Sequence, residues 1–138
     1  MTLTAAPMVS STFGGWSGAC TGTQACVVTM TASQRVTASF TLKTFVLTPT
    51  AGANGSITPA TAQVVNYGAS RAFTITPDTG YHIAGVWVDG APIGAVSGYT
   101  FTDVTANHTI SAAFAINTYT LTVNQVGSGT TTPSGMTT

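Results

Sequence analysis

Charged side chains are almost absent from this chain. Its 138 residues include three Lys or Arg, three Asp and no Glu, and the formal net charge is zero, whereas soluble domains average about a quarter charged residues. Nucleic-acid binding is not expected, because neutralising phosphates requires clusters of Lys and Arg. Binding to anionic membranes is not expected for the same reason. A net charge near zero also removes the repulsion that keeps molecules apart, which favours association.

Long apolar runs and helix-forming residues are missing as well. No apolar stretch approaches the ~20 residues of a membrane-spanning helix, so membrane insertion is not expected. Leu is scarce, Lys occurs once and Glu is absent, which disfavours helices. Thr makes up about a fifth of the residues, and Thr and Val suit a pleated, half-exposed surface. The composition predicts an all-β protein.

The patterns that carry catalysis or bind cofactors are absent too. There is no Gly-x-Ser-x-Gly elbow, phosphate-binding loop or pair of carboxylates. Asp78-Thr79-Gly80 matches the aspartic-protease triplet, but that chemistry needs two carboxylates sharing a proton, so we interpret it as a turn. His82 and His108 have no Cys, Asp or Glu at metal-ligand spacing and are expected on the surface. We expect neither an enzyme nor a bound metal or cofactor.

Two cysteines, Cys20 and Cys26, flank a short loop rich in Gly and Thr. This spacing suits a small disulfide-closed loop, with two reduced thiols as the alternative; a metal site would need more Cys or His nearby. A disulfide would place the chain in an oxidising compartment outside the cytoplasm. We therefore expect an extracellular or cell-surface location.

Alternation of apolar and polar residues recurs at short intervals, with turn residues between. In the segment 109–116 the even-numbered residues from Ile110 to Ile116 are apolar, which is the period of a half-buried strand. Asn54-Gly55 and Asp89-Gly90 are tight-turn pairs. The pattern predicts small antiparallel sandwich-like units. The predicted strands are 2–6, 26–31, 35–42, 44–49, 62–66, 71–76, 81–88, 99–102, 109–116 and 118–123.

A repeat of about 74 residues runs through the chain. Residues 40–48 match residues 114–122 at that spacing, whereas the first few residues match at an offset of 70, so one intervening loop differs in length. Self-similarity at a fixed period indicates an array of like modules, each of which mainly contacts its neighbours. Such arrays usually scaffold or bind.

The repeat is out of phase with the chain ends. Residues 44–117 form the one complete unit, residues 1–43 match the later part of a preceding unit, and residues 118–138 match the opening of a following one. The chain is either an excerpt of a longer array, or its tail and head meet between molecules and complete a shared sheet. An open half-module exposes unpaired strand edges that invite strand addition, and head-to-tail contacts that do not close produce filaments. The candidate strand for this contact contains Thr118, Tyr119, Leu121 and Val123.

Trp87 is the other residue that suggests a contact surface. Alternation places it on one strand face with Tyr81 and Ile83, opposite Val86 and Val88. One of the two faces must be core, so Trp87 either packs inside the array or forms an exposed aromatic patch. An exposed patch would suit glycan stacking or contact with another subunit.

Several motifs taken together resemble a known family. They are Val65-Asn66-Tyr67-Gly68-Ala69-Ser70, Phe73-Thr74-Ile75-Thr76-Pro77, Gly80-Tyr81-His82-Ile83 and Val88-Asp89-Gly90. The set resembles the divergent internalin-B-type repeat of bacterial surface proteins. The first segment, with Cys20 and Cys26, is similar to a Cys-containing variant of that repeat. The resemblance implies a secreted or surface-anchored protein with structural or adhesive repeats, and it implies no catalytic residues.

These observations predict a non-enzymatic extracellular structural protein that assembles head to tail into a homo-polymer by strand complementation. The alternative is an adhesin module of a larger bacterial surface protein, which binds a glycan or protein ligand. The two classes differ in one respect that can be measured: a structural polymer associates with itself without a ligand, whereas a binder buries its aromatic surface when ligand is added.

Overall fold

The computed structural model describes residues 1–131, and these contain twelve short strands and no helix. The all-β prediction is confirmed. It follows that no helix in this part of the chain is long and apolar enough to cross a membrane. The strands are β1 (Thr2–Leu3), β2 (Ser11–Gly18), β3 (Cys26–Val27), β4 (Val36–Leu42), β5 (Thr44–Ala51), β6 (Gly55–Thr58), β7 (Gln63–Asn66), β8 (Arg71–Pro77), β9 (Tyr81–Val88), β10 (Ala91–Gly94), β11 (Gly98–Phe101) and β12 (His108–Ile116).

Strands β5 to β12 form two sheets that share one core. The larger sheet has the order β10-β9-β12-β5-β7 and the smaller one β11-β8-β6. Leu47 and Ile110 of the larger sheet and Ile57 and Phe73 of the smaller one are almost completely buried in a single cluster. Fully burying such a side chain contributes about 1.5–3 kcal/mol, so this cluster is the main source of stability. The predicted sandwich-like arrangement is present in this unit.

The centre of the larger sheet departs from the predicted antiparallel arrangement. Strands β5 and β12 pair in parallel, with a register that runs from His108 opposite Leu47 to Ala112 opposite Ala51. Parallel neighbours need a long crossover between them, and the chain from β6 to β11 provides it. The purely antiparallel prediction is therefore wrong, because alternation identifies strands but carries no information on the direction in which they pair.

Strands β1 to β4 form a smaller first unit. It contains two two-stranded antiparallel sheets, β1-β3 and β2-β4. Cys26 and Val28 are its buried apolar residues. This unit therefore has much less core than the second one.

Three strands were not predicted, namely β2, β6 and β10, and a local cause is evident for β2 and β10. In β2, Phe13 and Trp16 lie three residues apart, so the sequence does not show a period of two, and the sheet accommodates this spacing by a register shift between Phe13 and Gly15. β10 contains Pro92 and Gly94, which disfavour strands. Conversely, the predicted strand 118–123 is not a strand in the structure, and no strand within residues 1–131 pairs with it. The last part of the predicted third segment, residues 132–138, lies outside the described residues.

The turns follow the sequence signals. Asn54, between β5 and β6, has a φ of 68°, and Asp89, between β9 and β10, has a φ of 50°. Asn and Asp are enriched in this left-handed region, which most other side chains avoid. Both predicted tight-turn pairs therefore lie at turns.

A single residue, Lys43, separates the two units. Its backbone N–H donates to Ser10 O over 2.8 Å, and its carbonyl accepts from Tyr67 N over 2.9 Å. The joint peptide is thus hydrogen-bonded to a residue of the first unit and to a residue of the second. Strand passes directly into strand, as the absence of Gly and Pro at this joint predicts.

Candidate functional site

The first unit repeats part of the second in strand register. In the second unit Ile83 pairs with Phe114, Gly85 with Ala113, and Val86 with Ala112. In the first unit the corresponding pairs are Phe13 with Phe40, Gly15 with Ser39, and Trp16 with Ala38. Both pairs of strands carry a register shift at the same place. Strand β2 therefore corresponds to β9 and β4 to β12, although the period of 74 residues stays a prediction.

This correspondence identifies an unpaired strand edge in the first unit. Strand β12 lies between β9 and β5, whereas β4 pairs with β2 alone within residues 1–131. The edge of β4 that corresponds to the β5 side of β12 therefore presents free backbone N–H and C=O groups. Such an edge is a template for an additional strand.

A groove lies beside this edge. It has a volume of about 270 Å³ and is lined mainly by apolar side chains. The lining includes Val36 at the start of β4, and the register places Val36 where the second unit has the fully buried Ile110. In the second unit β5 and β6 supply Leu47 and Ile57 to the core, and the described part of the first unit contains no counterpart of either strand. The other residues lining the groove are Met1, Leu3, Val28, Met30 and Gln34.

Three aromatic rings also lie on this incomplete core. Phe13 lies 5.1 Å from Trp16 and 5.5 Å from Phe40 between ring centroids. Trp16 has the register position of Val86, which is completely buried, but Trp16 is only half-buried and Phe40 is 48% exposed. Apolar rings at core positions thus remain in contact with solvent, as expected of half a core.

The disulfide prediction is confirmed. Cys20 and Cys26 form a disulfide with their Cα atoms 5.9 Å apart. The closed loop lies against Trp16, whose backbone N–H donates to Gly22 O and whose indole Nε1–H donates to Gln24 O, both over 2.8 Å. The bond joins the loop two residues after β2 to the buried start of β3, so it connects the two small sheets of the first unit.

The structure separates Trp87 from Tyr81 and Ile83, the two residues predicted to share a surface with it. Within β9, Gly85 pairs with Ala113 and Ile83 with Phe114, so Ala84 is an unpaired extra residue. An extra residue inverts the alternation beyond it. Ile83 consequently packs against the core, and its placement beside Trp87 is wrong.

Trp87 itself lies on the outer face of the larger sheet. Its neighbours there are Ser111 and Pro92 in the adjacent strands, and its ring covers Gly85, where a Cβ would lie 2.9 Å from Trp87 Cη2. Tyr81 pairs with Ile116 at the far end of the sheet, where Ile116 is exposed, although its alternation predicted burial. Trp87 is therefore a half-buried ring on a solvent face, without the two predicted partners.

The predicted inter-subunit strand is exposed. Tyr119, Leu121 and Val123 have no strand neighbour in the described structure, and Leu121 is 79% exposed. Thr118 begins this segment directly after Asn117, whose N–H donates to Gly80 O. The role of these residues in a contact between molecules stays a prediction.

The two histidines each bond to a neighbouring polar side chain. His108 Nδ1 lies 2.6 Å from Asp89 Oδ2, and Asp89 Oδ1 accepts from Thr109 N over 2.8 Å. The backbone N–H of Thr109, followed by His108, holds the pKa of Asp89 below its usual value. His82 Nδ1 lies 3.0 Å from Asn117 Oδ1. The Asp89 contacts tie the β9–β10 turn to the start of β12.

These polar contacts do not assemble a reaction centre among the residues described. No three His, Cys, Asp or Glu side chains come together between residues 1 and 131. Asp78, from the protease-like triplet, accepts a backbone bond from Tyr81 N and donates its own N–H to Asn54 O, as a turn residue does. The most distinctive feature of the chain is therefore the open strand edge of β4 with its apolar groove.

The two units share the same strand register and are joined by a single residue, Lys43. These two features define a tandem β-repeat protein. A family model described as the divergent InlB B-repeat domain matches residues 1–44 and again residues 45–118. The chain belongs to this family, as the motifs suggested. No curated protein and no solved structure matches the chain significantly. The family is a structural or binding type of module associated with bacterial surface proteins, and it is not an enzyme family.

Proposed function

We propose that this chain is a non-enzymatic structural repeat of the bacterial cell surface that assembles through its open strand edge. A strand of the β5 type from a second copy of the chain adds to β4 and completes the first unit. The observation that carries the proposal is the shared register of β4 and β12. Strand β4 pairs with β2 as β12 pairs with β9, but among residues 1–131 no strand pairs with β4 on the side where β5 pairs with β12.

The segment after β12 has the sequence of a β5-type strand. Thr118-Tyr119-Thr120-Leu121-Thr122 follows the pattern of Thr44-Phe45-Val46-Leu47-Thr48. In β5, Phe45 and Leu47 face the core, while Val46 between them is exposed. Tyr119 and Leu121 would accordingly point into the groove beside β4, which is apolar.

The parallel pairing in the second unit also predicts a register for the contact. Leu47 lies opposite His108, and Ala51 lies opposite Ala112. Carried over to β4, this register places Leu121 opposite Gln34 and Val123 opposite Val36. Each chain would then offer one strand and one edge, and repetition of such a head-to-tail contact gives a filament. The net charge of zero supports the proposal, because copies do not repel one another.

The test measures association and the environment of Trp16 together. A Trp87→Phe variant leaves Trp16 as the single tryptophan, on the incomplete core. We expect larger species in sedimentation velocity as concentration rises, together with a blue shift of Trp16 emission. Monomers at every concentration, with unshifted emission, would refute assembly between copies.

Two substitutions show whether the predicted strand is responsible. Leu121→Asp should weaken association by roughly a hundredfold or more, because a buried Leu contributes about 1.5–3 kcal/mol and a buried charge adds a further cost. Val126→Asp is the matched control, since Val126 is 98% exposed and follows the matching segment. Equal effects of the two substitutions would mean that added charge, rather than the strand, controls association.

Adhesion is the second candidate, and the position of Trp87 favours it. This half-buried ring lies on the outer face of the larger sheet above Gly85, and an aromatic ring with a side open to solvent suits stacking against a sugar. In a Trp16→Phe variant, a saccharide ligand should protect Trp87 from collisional quenching. Unchanged quenching across a panel of glycans would leave the structural role as the sole candidate.

A further inference from the structure

The complete unit is entered and left through two adjacent strands. The chain enters by β5 and leaves by β12, and these strands lie side by side and parallel at the centre of the sheet. Because Leu47 lies opposite His108, the start of β5 at Thr44 and the end of β12 at Ile116 are eleven residue steps apart along the strand axis. At about 3.3 Å per step the two ends are separated by roughly 36 Å.

This geometry determines how tension acts on the unit. Pulling the two ends apart slides β5 against β12 along their common axis. All the hydrogen bonds of the ladder then share the load and must break together. If the strands were instead pulled apart sideways from one end, the same bonds would break one after another under a smaller force.

The ladder is reinforced on both sides. Asn107 Oδ1 accepts from Val46 N over 2.8 Å, which extends the bonding by one residue before the paired region begins. On its other side β5 pairs with β7 from Thr44 to Leu47. Leu47 and Ile110 are both completely buried. A slip by one residue would turn their side chains toward the opposite face of the sheet, so the core resists sliding too.

Pro49 in the middle of β5 does not interrupt this ladder. Successive backbone N–H groups in a strand point to opposite sides, so Val46, Thr48 and Thr50 present theirs to β12. The nitrogen of Pro49 faces the other way, and there the pairing with β7 has already ended at Leu47. A proline is tolerated where no ladder bond is needed.

Tension reaches these strands directly through the joint. Lys43 bonds to Ser10 O in the first unit, and Asn117, one residue after β12, bonds in the same way to Gly80 O. The residues on either side of the complete unit are thus held against the β-structure. A pull along the array is therefore delivered to the ends of β5 and β12 rather than to a flexible linker.

From this geometry we infer that the complete unit is a load-bearing clamp, in which the parallel β5–β12 ladder carries tension applied along the array. This further function rests on the second unit alone and holds whether or not copies of the chain assemble. It assigns the unit a mechanical role on a surface that is exposed to pulling forces.

The test compares two pulling directions on the same folded chain. Handles attached through Lys43→Cys and Thr118→Cys load the ladder in shear, with the native disulfide kept oxidised. Handles attached through Lys43→Cys and Ala106→Cys load it from one end, because residues 43 and 106 both precede the paired region. Matching thermal melts of the two variants establish that both are folded before they are pulled.

In single-molecule force spectroscopy at equal loading rates, the shear pair should unfold at a force several-fold higher than the end-loaded pair. Asn107→Ala should lower the shear force, whereas Asn107→Asp keeps the acceptor oxygen and should preserve it. Equal unfolding forces in the two directions would overturn the inference. If Asn107→Ala left the unfolding force in shear unchanged, Asn107 would have no part in the clamp. The clamp would then consist only of the residues of β5 from Leu47 to Ala51 that pair with β12.

Discussion

Replacing Leu47 tests whether the central strand of the second unit is anchored as the structure indicates. Leu47 is completely buried between the two sheets, so Leu47→Ala leaves a cavity that the surrounding strands fill only in part. Such substitutions cost about 2–5 kcal/mol. A unit of this size has a total stability of roughly 4–11 kcal/mol. A loss of about 3 kcal/mol would lower the melting temperature by roughly 12–24 °C.

The assay should report the second unit separately from the first. In a Trp16→Phe background Trp87 is the single tryptophan, and it lies in β9 of the second unit. Thermal and urea unfolding followed by Trp87 fluorescence then measure the stability of that unit. Val46→Ala is the control, because Val46 is the neighbouring residue of the same strand but is 37% exposed and faces outward.

Equal losses of stability in Leu47→Ala and Val46→Ala would contradict this prediction. Val46→Ala should cost less than about 1 kcal/mol, through strand propensity and a little packing. If Leu47→Ala melted within a few degrees of the parent, or if Val46→Ala were as damaging, the assignment of the buried face of β5 would be wrong. Both the predicted register of the assembly contact and the clamp depend on that assignment.

Three further outcomes are expected. Asp89→Asn should reduce stability at neutral pH and make stability depend less on pH in acid. The pKa of Asp89 is lowered in the folded state, so the stability that Asp89 contributes is present above its unfolded pKa of about 3.9 and disappears as the pH falls through the folded value. Urea midpoints that change in parallel for parent and variant between pH 5 and 2 would contradict this. Asn107→Ala should lower the free energy of unfolding in urea by about 1 kcal/mol, because the Val46 amide of β5 loses its acceptor. Asn107→Asp should lower it less, because an acceptor oxygen remains. Similar losses in the two variants would exclude the hydrogen bond as the cause. Replacing Cys20 and Cys26 by Ser should destabilise the first unit by about 2 kcal/mol, a modest loss because the closed loop is short. Trp16 fluorescence follows this unfolding, because Trp16 bonds to the loop. An unchanged Trp16 transition would show that the disulfide does not stabilise this unit.

The open edge was partly predictable from the repeat. The matching sequences predicted that residues 1–43 correspond to the later part of a unit, and the shared register of β4 and β12 locates the edge of β4 that corresponds to the β5 side of β12. The apolar groove was not predictable, because its lining comes from residues as far apart as Met1 and Val36. The half-burial of Trp16 was not predicted either, because the Phe13 ring beside it packs in turn against Phe40, which is distant along the chain.

Local chemistry determined much of this protein. Several features depend only on composition or on residues close together in the chain, so they can be inferred from the sequence alone. They are the scarcity of charge and of helix formers, the alternation in the strands, the turn residues Asn54 and Asp89, and the short loop between Cys20 and Cys26. The family resemblance also follows from such short motifs. These features predict the all-β class and favour the disulfide without any knowledge of how the strands pair.

Tertiary structure alone decided the rest, because it depends on hydrogen bonds between residues far apart in sequence. Alternation is the same in parallel and antiparallel strands, so only the assembled sheet shows that β5 lies parallel to β12. Ala84 is recognised as an unpaired residue only when β9 is aligned with its partner strand β12. Because of this extra residue, Ile83 faces the core while Trp87 lies on the outer face. The path of the chain through β5 and β12, and with it the response to tension, is likewise a property of the folded sheet.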